Sequence, residues 1–190
     1  MHLLAVFSLI IALSPVHALA DAAAGKQKAA VCAACHGTEG NSTNPLWPKL
    51  AQQTARYLYL QLRDFKEARR KDPLMSPMAA NLSREDMLDL AEYFSSQTEA
   101  PSTYKVESAK VAEGKKIADN ALCPMCHSGG FSGQNEIPRV AGQHYEYIVK
   151  QLKDFRARVR TNDAGNMTAY AHGLTDDQIE ALAQYITNLY

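Results

Sequence analysis

The sequence predicts an all-α protein made of two tandem copies of one helical unit. Three observations carry that expectation. Apolar residues recur at helical spacing, and no segment keeps a two-residue alternation between turn signals. "PKLAQQTARYLYLQLRDF" from Pro48 runs parallel to "PRVAGQHYEYIVKQLKDF" from Pro138 at a constant offset of 90 residues. The only four cysteines fall into two C-x-x-C-H stretches, "CAACH" from Cys32 and "CPMCH" from Cys123, at matching points of the two copies.

The chain has 190 residues with 20 basic and 20 acidic side chains. That balance excludes a dedicated nucleic-acid binder and a general attraction to acidic membranes. Residues 1–20 stand apart. "LLAVFSLIIAL" is uncharged and apolar, Pro15 follows, and "ALA" ends at Ala20. This reads as an export signal cleaved after Ala20, although the leader has no Lys or Arg at its start. The run is short for a bilayer span. An exported chain in a bacterium is periplasmic. In an oxidising compartment four cysteines ordinarily become disulfides, so two C-x-x-C pairs need another explanation.

The first copy takes residues 21–100. It opens on "GKQKAAVCAACHG" from Gly25, followed by a Gly/Ser/Asn/Pro-rich loop to Pro48. "YLYLQLRDF" is an amphipathic helix. The basic run "FKEARRK" after it reads as a solvated face. "LMSPMAANL" reads as loop, and Ser83-x-x-Asp86 caps a final helix through "EDMLDLAEYF". Residues 101–105 lie in a polar, Pro-containing boundary, and the second copy takes 106–190. It repeats the order: "GKKIADNALCPMCHS" from Gly114, a loop to Pro138, "YIVKQLKDF", the basic run "DFRARVR", the loop-like "NDAGNMTAYAHGL", and a helix capped at Thr175-x-x-Gln178.

Three chemistries compete for the cysteine motif. A four-cysteine zinc site brings its pairs within about 15 to 20 residues and leaves both histidines idle. A thioredoxin-like dithiol needs a strand before it. Neither fits two separate helical copies. The third is covalent haem, for which C-x-x-C-H is the attachment signature. Cysteines three apart lie one helical turn from each other and reach the two vinyl groups of one porphyrin edge, while the next residue is aimed at the iron. Cys32 with Cys35, and Cys123 with Cys126, therefore read as thioether sites for two haems, with His36 and His127 as iron ligands. A large apolar cofactor also supplies the core that a helical unit of about 80 residues lacks.

The second axial ligand separates electron transfer from open-site chemistry. In the second copy Met125 sits inside the motif, and Met167 stands 40 residues after His127. Met167 precedes Leu174-Thr175 by seven residues; seven before Leu82-Ser83 is Met75, which sets aside Met78 and Met87. His144 and His172 are rivals, but their counterparts Thr54 and Ala80 cannot bind iron. Pro48 lies 12 residues after His36 and Pro138 lies 11 after His127, so their carbonyls are candidates to orient each imidazole at the edge of the haem pocket.

These residues resemble the cytochrome c4 family, in which two class I cytochrome c domains stand in tandem, each wrapped round one covalent haem. The doubled C-x-x-C-H, "PKLAQQ" with "PRVAGQ", and the methionine segments leading into "LSREDMLDLAEYF" and "LTDDQIEALAQYI" carry the resemblance. "AQQ" in place of "AGQ" puts one local backbone detail in doubt. The resemblance implies a periplasmic electron carrier rather than an enzyme, with Cys32, Cys35, His36 and Met75 serving one haem c and Cys123, Cys126, His127 and Met167 the other. It implies redox-protein partners, an electron donor and a terminal oxidase, and loose association with the membrane. The alternative is the dihaem subunit of a periplasmic oxidoreductase such as a sulfide or thiosulfate dehydrogenase. A dihaem peroxidase requires an open iron, against which both methionines stand. The halves hold 11 and 9 basic against 10 and 10 acidic residues, so charge names no partner.

Overall fold

The computed structural model describes residues 20–190; the expected export signal lies outside the described residues except for Ala20. The first domain contains α1 (Ala22–Lys28), α2 (Ala33–His36), α3 (Ala55–Lys66), α4 (Met75–Ala79) and α5 (Arg84–Ser95). The second contains α6 (Ser108–Asn120), α7 (Cys123–His127), α8 (Tyr145–Arg156), α9 (Asn166–His172) and α10 (Asp176–Thr187). Among the described residues there is no strand, only an isolated bridge between Gln134 and Ile137. The all-α expectation holds.

The first and last helices of each domain cross and pack, α1 on α5 and α6 on α10. The crossing requires glycine. A Cβ on Gly25 would lie 2.0 Å from the carbonyl oxygen of Asp89, and one on Gly114 would lie 2.0 Å from that of Ala181. Gly25→Ala is therefore expected to cost its domain about 1–3 kcal/mol by forcing the helices apart. Denaturant unfolding measures it, and an unchanged midpoint would show that the crossing is looser than this geometry.

One ion-pair cluster ties the first crossing and has no equivalent in the second. Lys28 Nζ lies 2.8 Å from Asp86 and 2.6 Å from Asp89. The ammonium, helped by Ser83, holds Asp86 down to about 2, and the ammonium with the Asp21 N–H holds Asp89 below its ordinary range. The matching positions of the second domain are Ile117 and Ala181. As pH falls from about 4 towards 2, the unfolded chain takes up protons that the folded carboxylates refuse, so stability present above that window is lost within it. The unfolding free energy of the protein is expected to fall through that window. Lys28→Met should flatten that dependence, and an unaltered slope would contradict it.

Helix boundaries follow local chemistry. Ser83 Oγ accepts from Asp86 N at 3.0 Å while Asp86 accepts from Ser83 N at 2.8 Å, a reciprocal cap at the start of α5. Thr175 and Gln178 do the same for α10 at 3.2 and 3.0 Å. Thr54 Oγ1 accepts from Tyr57 N to begin α3, which buries Leu58 and Phe65. Its counterpart α8 buries Ile148, Leu152 and Phe155. The core cluster of the first domain is small: Ala29, Leu58, Leu90, Ala91, Tyr93 and Phe94.

Two expectations need correction. The methionine segments are not loops but short helices, α4 and α9. Asp72 Oδ1 accepts from Leu74 N at 2.9 Å and Met75 N at 3.0 Å, and Asp163 accepts from Thr168 N at 2.6 Å, so an aspartate starts each one. Helices of five and seven residues are too short to show a period. The basic runs are not wholly solvated faces either. After α3 and α8 the chain reverses through left-handed Ala68 (φ 56) and Arg158 (φ 57). The reversal lays Arg70 over Phe65 at 4.7 Å and Arg160 over Phe155 at 4.5 Å.

Both arginines then cross to the other domain. Arg70 Nη2 donates to Tyr147 OH at 3.0 Å and Gln151 Oε1 at 2.9 Å, and its Nη1 to Gln61 Oε1 at 2.8 Å. Arg160 Nη2 donates to Tyr57 OH at 3.0 Å and Gln61 Oε1 at 3.1 Å, and its Nη1 to Gln151 Oε1 at 2.6 Å. Each partner pair is 90 residues apart, so the contact has a pseudo-two-fold axis. Between α5 and α6 the chain is pinned to both domains. Ala100 N donates to Asn41 Oδ1 at 2.7 Å, Tyr104 stacks on Tyr145 with centroids 4.5 Å apart, and Glu107 N donates to Gln184 at 2.7 Å. Among the described residues no helix is long and apolar enough to cross a membrane.

Candidate functional site

Each domain presents the same short constellation. Cys32 immediately precedes α2, which carries Cys35 and ends at His36; α7 carries Cys123, Cys126 and His127. In both, the first cysteine is half-buried and the second exposed. Burial pushes the Cys32 and Cys123 thiols up, with their partner cysteines adding to it. Among the described residues no group of three or more His, Cys, Asp or Glu gathers as a metal cluster.

The histidines are buried and fixed. His36 Nδ1 lies 2.8 Å from the Pro48 carbonyl oxygen, and His127 Nδ1 lies 2.9 Å from that of Pro138. A carbonyl only accepts, so Nδ1 carries the proton in both rings and Nε2 keeps its lone pair. Burial pushes both imidazoles below their ordinary value, against a smaller upward pull from the proline carbonyls. A neutral imidazole with a free Nε2 is the form that binds iron. Phe131 packs near His127, with ring centroids 6.1 Å apart.

Met75 and Met167 are both half-buried at the first turn of their short helices. Met78, three residues on, is 50 % exposed. Met87 is buried in α5 as core. Of the rival histidines, His172 is exposed, and His144 Nε2 lies 2.9 Å from Ser42 O across the domain interface. Large apolar side chains stand exposed beside the motifs and the methionines: Val31, Leu122 and Met125 at the former, Leu74 and Tyr170 at the latter. A small core with apolar groups left open around a cysteine pair and a neutral imidazole suits a flat apolar cofactor.

Several interface residues gave no functional signal in the sequence: Arg70, Arg160, Gln53, Gln143 and Glu99. A repeated polar residue at the constant offset of 90 was the sign available for the first four. The "AQQ" departure leaves the backbone unchanged, since Gln52 (φ 60) and Gly142 (φ 71) both take the left-handed conformation.

A helical unit with an attachment motif, a tautomer-locked histidine and a downstream methionine, present twice, defines a dihaem c-type cytochrome. The family model for cytochrome c matches residues 22–98 and 111–190. The chain is 42 % identical to the cytochrome c4 of Azotobacter vinelandii over 192 residues, covering 92 % of this chain and 91 % of that protein. The crystal structure of reduced recombinant cytochrome c4 from Pseudomonas stutzeri superposes with a TM-score of 0.85 at 39 % identity, over 90 % of this chain and 100 % of that one. A thiosulfate dehydrogenase electron acceptor of Thiomonas intermedia is 35 % identical over 176 residues, 86 % of this chain and 81 % of that protein. The chain belongs to the cytochrome c4 family. It is a dihaem electron carrier, not an enzyme, and its two haems c are covalently bound, with Cys32/Cys35 and Cys123/Cys126 fitting the attachment motif.

Proposed function

We propose that this chain relays single electrons in the periplasm, from a respiratory donor to a terminal oxidase, after its leader is cleaved behind Ala20. In this reading residues 21–100 and 106–190 are the two carrier domains and 101–105 the linker. His36 and Met75 ligate one iron, and His127 and Met167 the other; Pro48 and Pro138 orient the histidines. Haem supplies a one-electron iron couple when bound. The protein's part would be to supply a neutral imidazole from His36 or His127 and a thioether from Met75 or Met167, which would leave no free iron site and favour the reduced state.

The observation that supports this best is the matched pair of histidine–proline contacts, each with a methionine at the start of a short helix in the same domain. Two closed sites suit relay and disfavour catalysis. Membrane association, where present, is peripheral in this reading.

The similarity to a thiosulfate dehydrogenase electron acceptor supports a second reading, in which the donor is a periplasmic dehydrogenase. Purification from the native host distinguishes them. A free carrier whose ferrous form is oxidised by membranes containing the terminal oxidase supports the first. A dehydrogenase that co-purifies in fixed proportion, with no oxidation by those membranes, supports the second.

A further inference from the structure

The interface connects the two histidines as well as the two domains. Pro48 and Lys49 share one peptide group. Its oxygen faces His36 Nδ1 at 2.8 Å, and its N–H donates to Gln143 Oε1 of the other domain at 2.8 Å. Gln143 Nε2 completes the pair by donating to Lys49 O at 3.0 Å. The converse holds in the second domain. The Pro138–Arg139 peptide faces His127 Nδ1 with its oxygen at 2.9 Å and donates its N–H to Gln53 Oε1 at 2.8 Å. Gln53 Nε2 donates to Arg139 O at 2.7 Å.

Both glutamines are buried, 7 % exposed for Gln53 and 8 % for Gln143. Each Oε1 also accepts from the next backbone N–H, Thr54 at 2.9 Å and His144 at 3.1 Å, which holds the amide in place. Glu99 lies between the side chains of Lys49 and Arg139, the two residues whose N–H groups form these links.

Hydrogen bonds polarise one another along a chain. A peptide whose N–H is bonded carries more negative charge on its oxygen. A stronger acceptor at Nδ1 makes the imidazole more basic at Nε2 and favours ferric iron. We propose that Gln143 sets the reduction potential of the haem in the first domain and Gln53 that of the haem in the second. Each is a positioning residue that acts across the interface through a single peptide group. This rests on the axial roles of His36 and His127 proposed above.

Gln143→Leu fills the same space and leaves the Lys49 N–H without an acceptor. The first-domain haem is expected to become easier to reduce by about threefold in its one-electron equilibrium, or about 28 mV. The second-domain haem should stay where it is. Gln53→Leu should give the mirror result. Gln143→Glu keeps an oxygen facing the Lys49 N–H and should not raise the first-domain potential. Potentials are read by spectroelectrochemistry and assigned to domains by the NMR signals of the two axial methionines.

The same spectra keep the two readings apart. Absence of the methionine-to-ferric bands in the unsubstituted protein counts against the ligand assignment. Intact bands with both potentials moving equally, with only the substituted domain's own haem moving, or with no movement, overturn the crossed arrangement. Should the leucine variants fail to fold, hydrogen exchange in the unsubstituted holoprotein decides. Slow exchange at the Lys49 and Arg139 amides supports the links, and free exchange at either overturns them.

Discussion

Met75→Ala removes one of two near-infrared methionine-to-ferric bands and leaves the other intact. The effect is large because, in the ligand set proposed above, this substitution deletes an iron ligand outright. Asp72 Oδ1 accepts from both Leu74 N and Met75 N, which fixes where the Met75 side chain leaves the backbone. Met78 is the rival in the same helix, and it is half exposed to solvent. Met78→Ala should keep both bands, and Met167→Ala should remove the band that Met75→Ala spares. The altered iron in each case loses a soft thioether, so its potential falls and it binds carbon monoxide when reduced. Loss of a band in Met78→Ala, with both kept in Met75→Ala, would move the ligand by one helical turn and refute the assignment.

Glu99→Gln costs about 3–5 kcal/mol of stability and loosens one domain from the other. Glu99 accepts from Arg139 Nε at 2.8 Å and Nη2 at 2.6 Å, and Lys49 Nζ lies 3.6 Å away. The side chains of Glu99 and Lys49 are 3 % and 4 % exposed and that of Arg139 14 %. Without the carboxylate, two cations stay buried beside each other with no counter-charge. Lys49 keeps hydrogen bonds to the Ala100 and Gly142 carbonyls, at 2.7 and 2.9 Å, which hold it in place but do not neutralise it. Burial already pushes Lys49 below its ordinary value, with Glu99 pulling it back up, so the variant loses the pull and keeps the penalty. Denaturant unfolding followed in both domains should show one transition in the unsubstituted protein and two in the variant. A single transition at the original midpoint would show that the cluster is not what joins the domains.

Much of this architecture was legible because the chain states it twice. Ser83 with Asp86, and Thr175 with Gln178, announce two helix starts by residue type and spacing alone, and both capping boxes form. The histidine-to-proline spacings of 12 and 11 residues lead to two short contacts of the same kind. What stayed hidden depends on tertiary placement. The αL reversal at Ala68 and Arg158 carries no glycine to signal it, so Arg70 and Arg160 looked like ordinary surface charge. Gln53 and Gln143 are unremarkable as residues, and only the second domain's approach gives them partners. Glu99 sits in a polar stretch next to the boundary, and nothing in its neighbours shows that it is buried. Helices α4 and α9 are too short for a period, so their aspartate starts had to be seen in three dimensions.

Each domain is expected to hold one haem whose iron is ligated by both His and Met. Spectroelectrochemical titration of the purified protein, read in the near infrared and repeated under carbon monoxide, tests it most directly. Two one-electron steps, a methionine band from each ferric haem and no carbon monoxide binding by either ferrous haem are expected. One missing methionine band, or carbon monoxide bound at either iron, would contradict it.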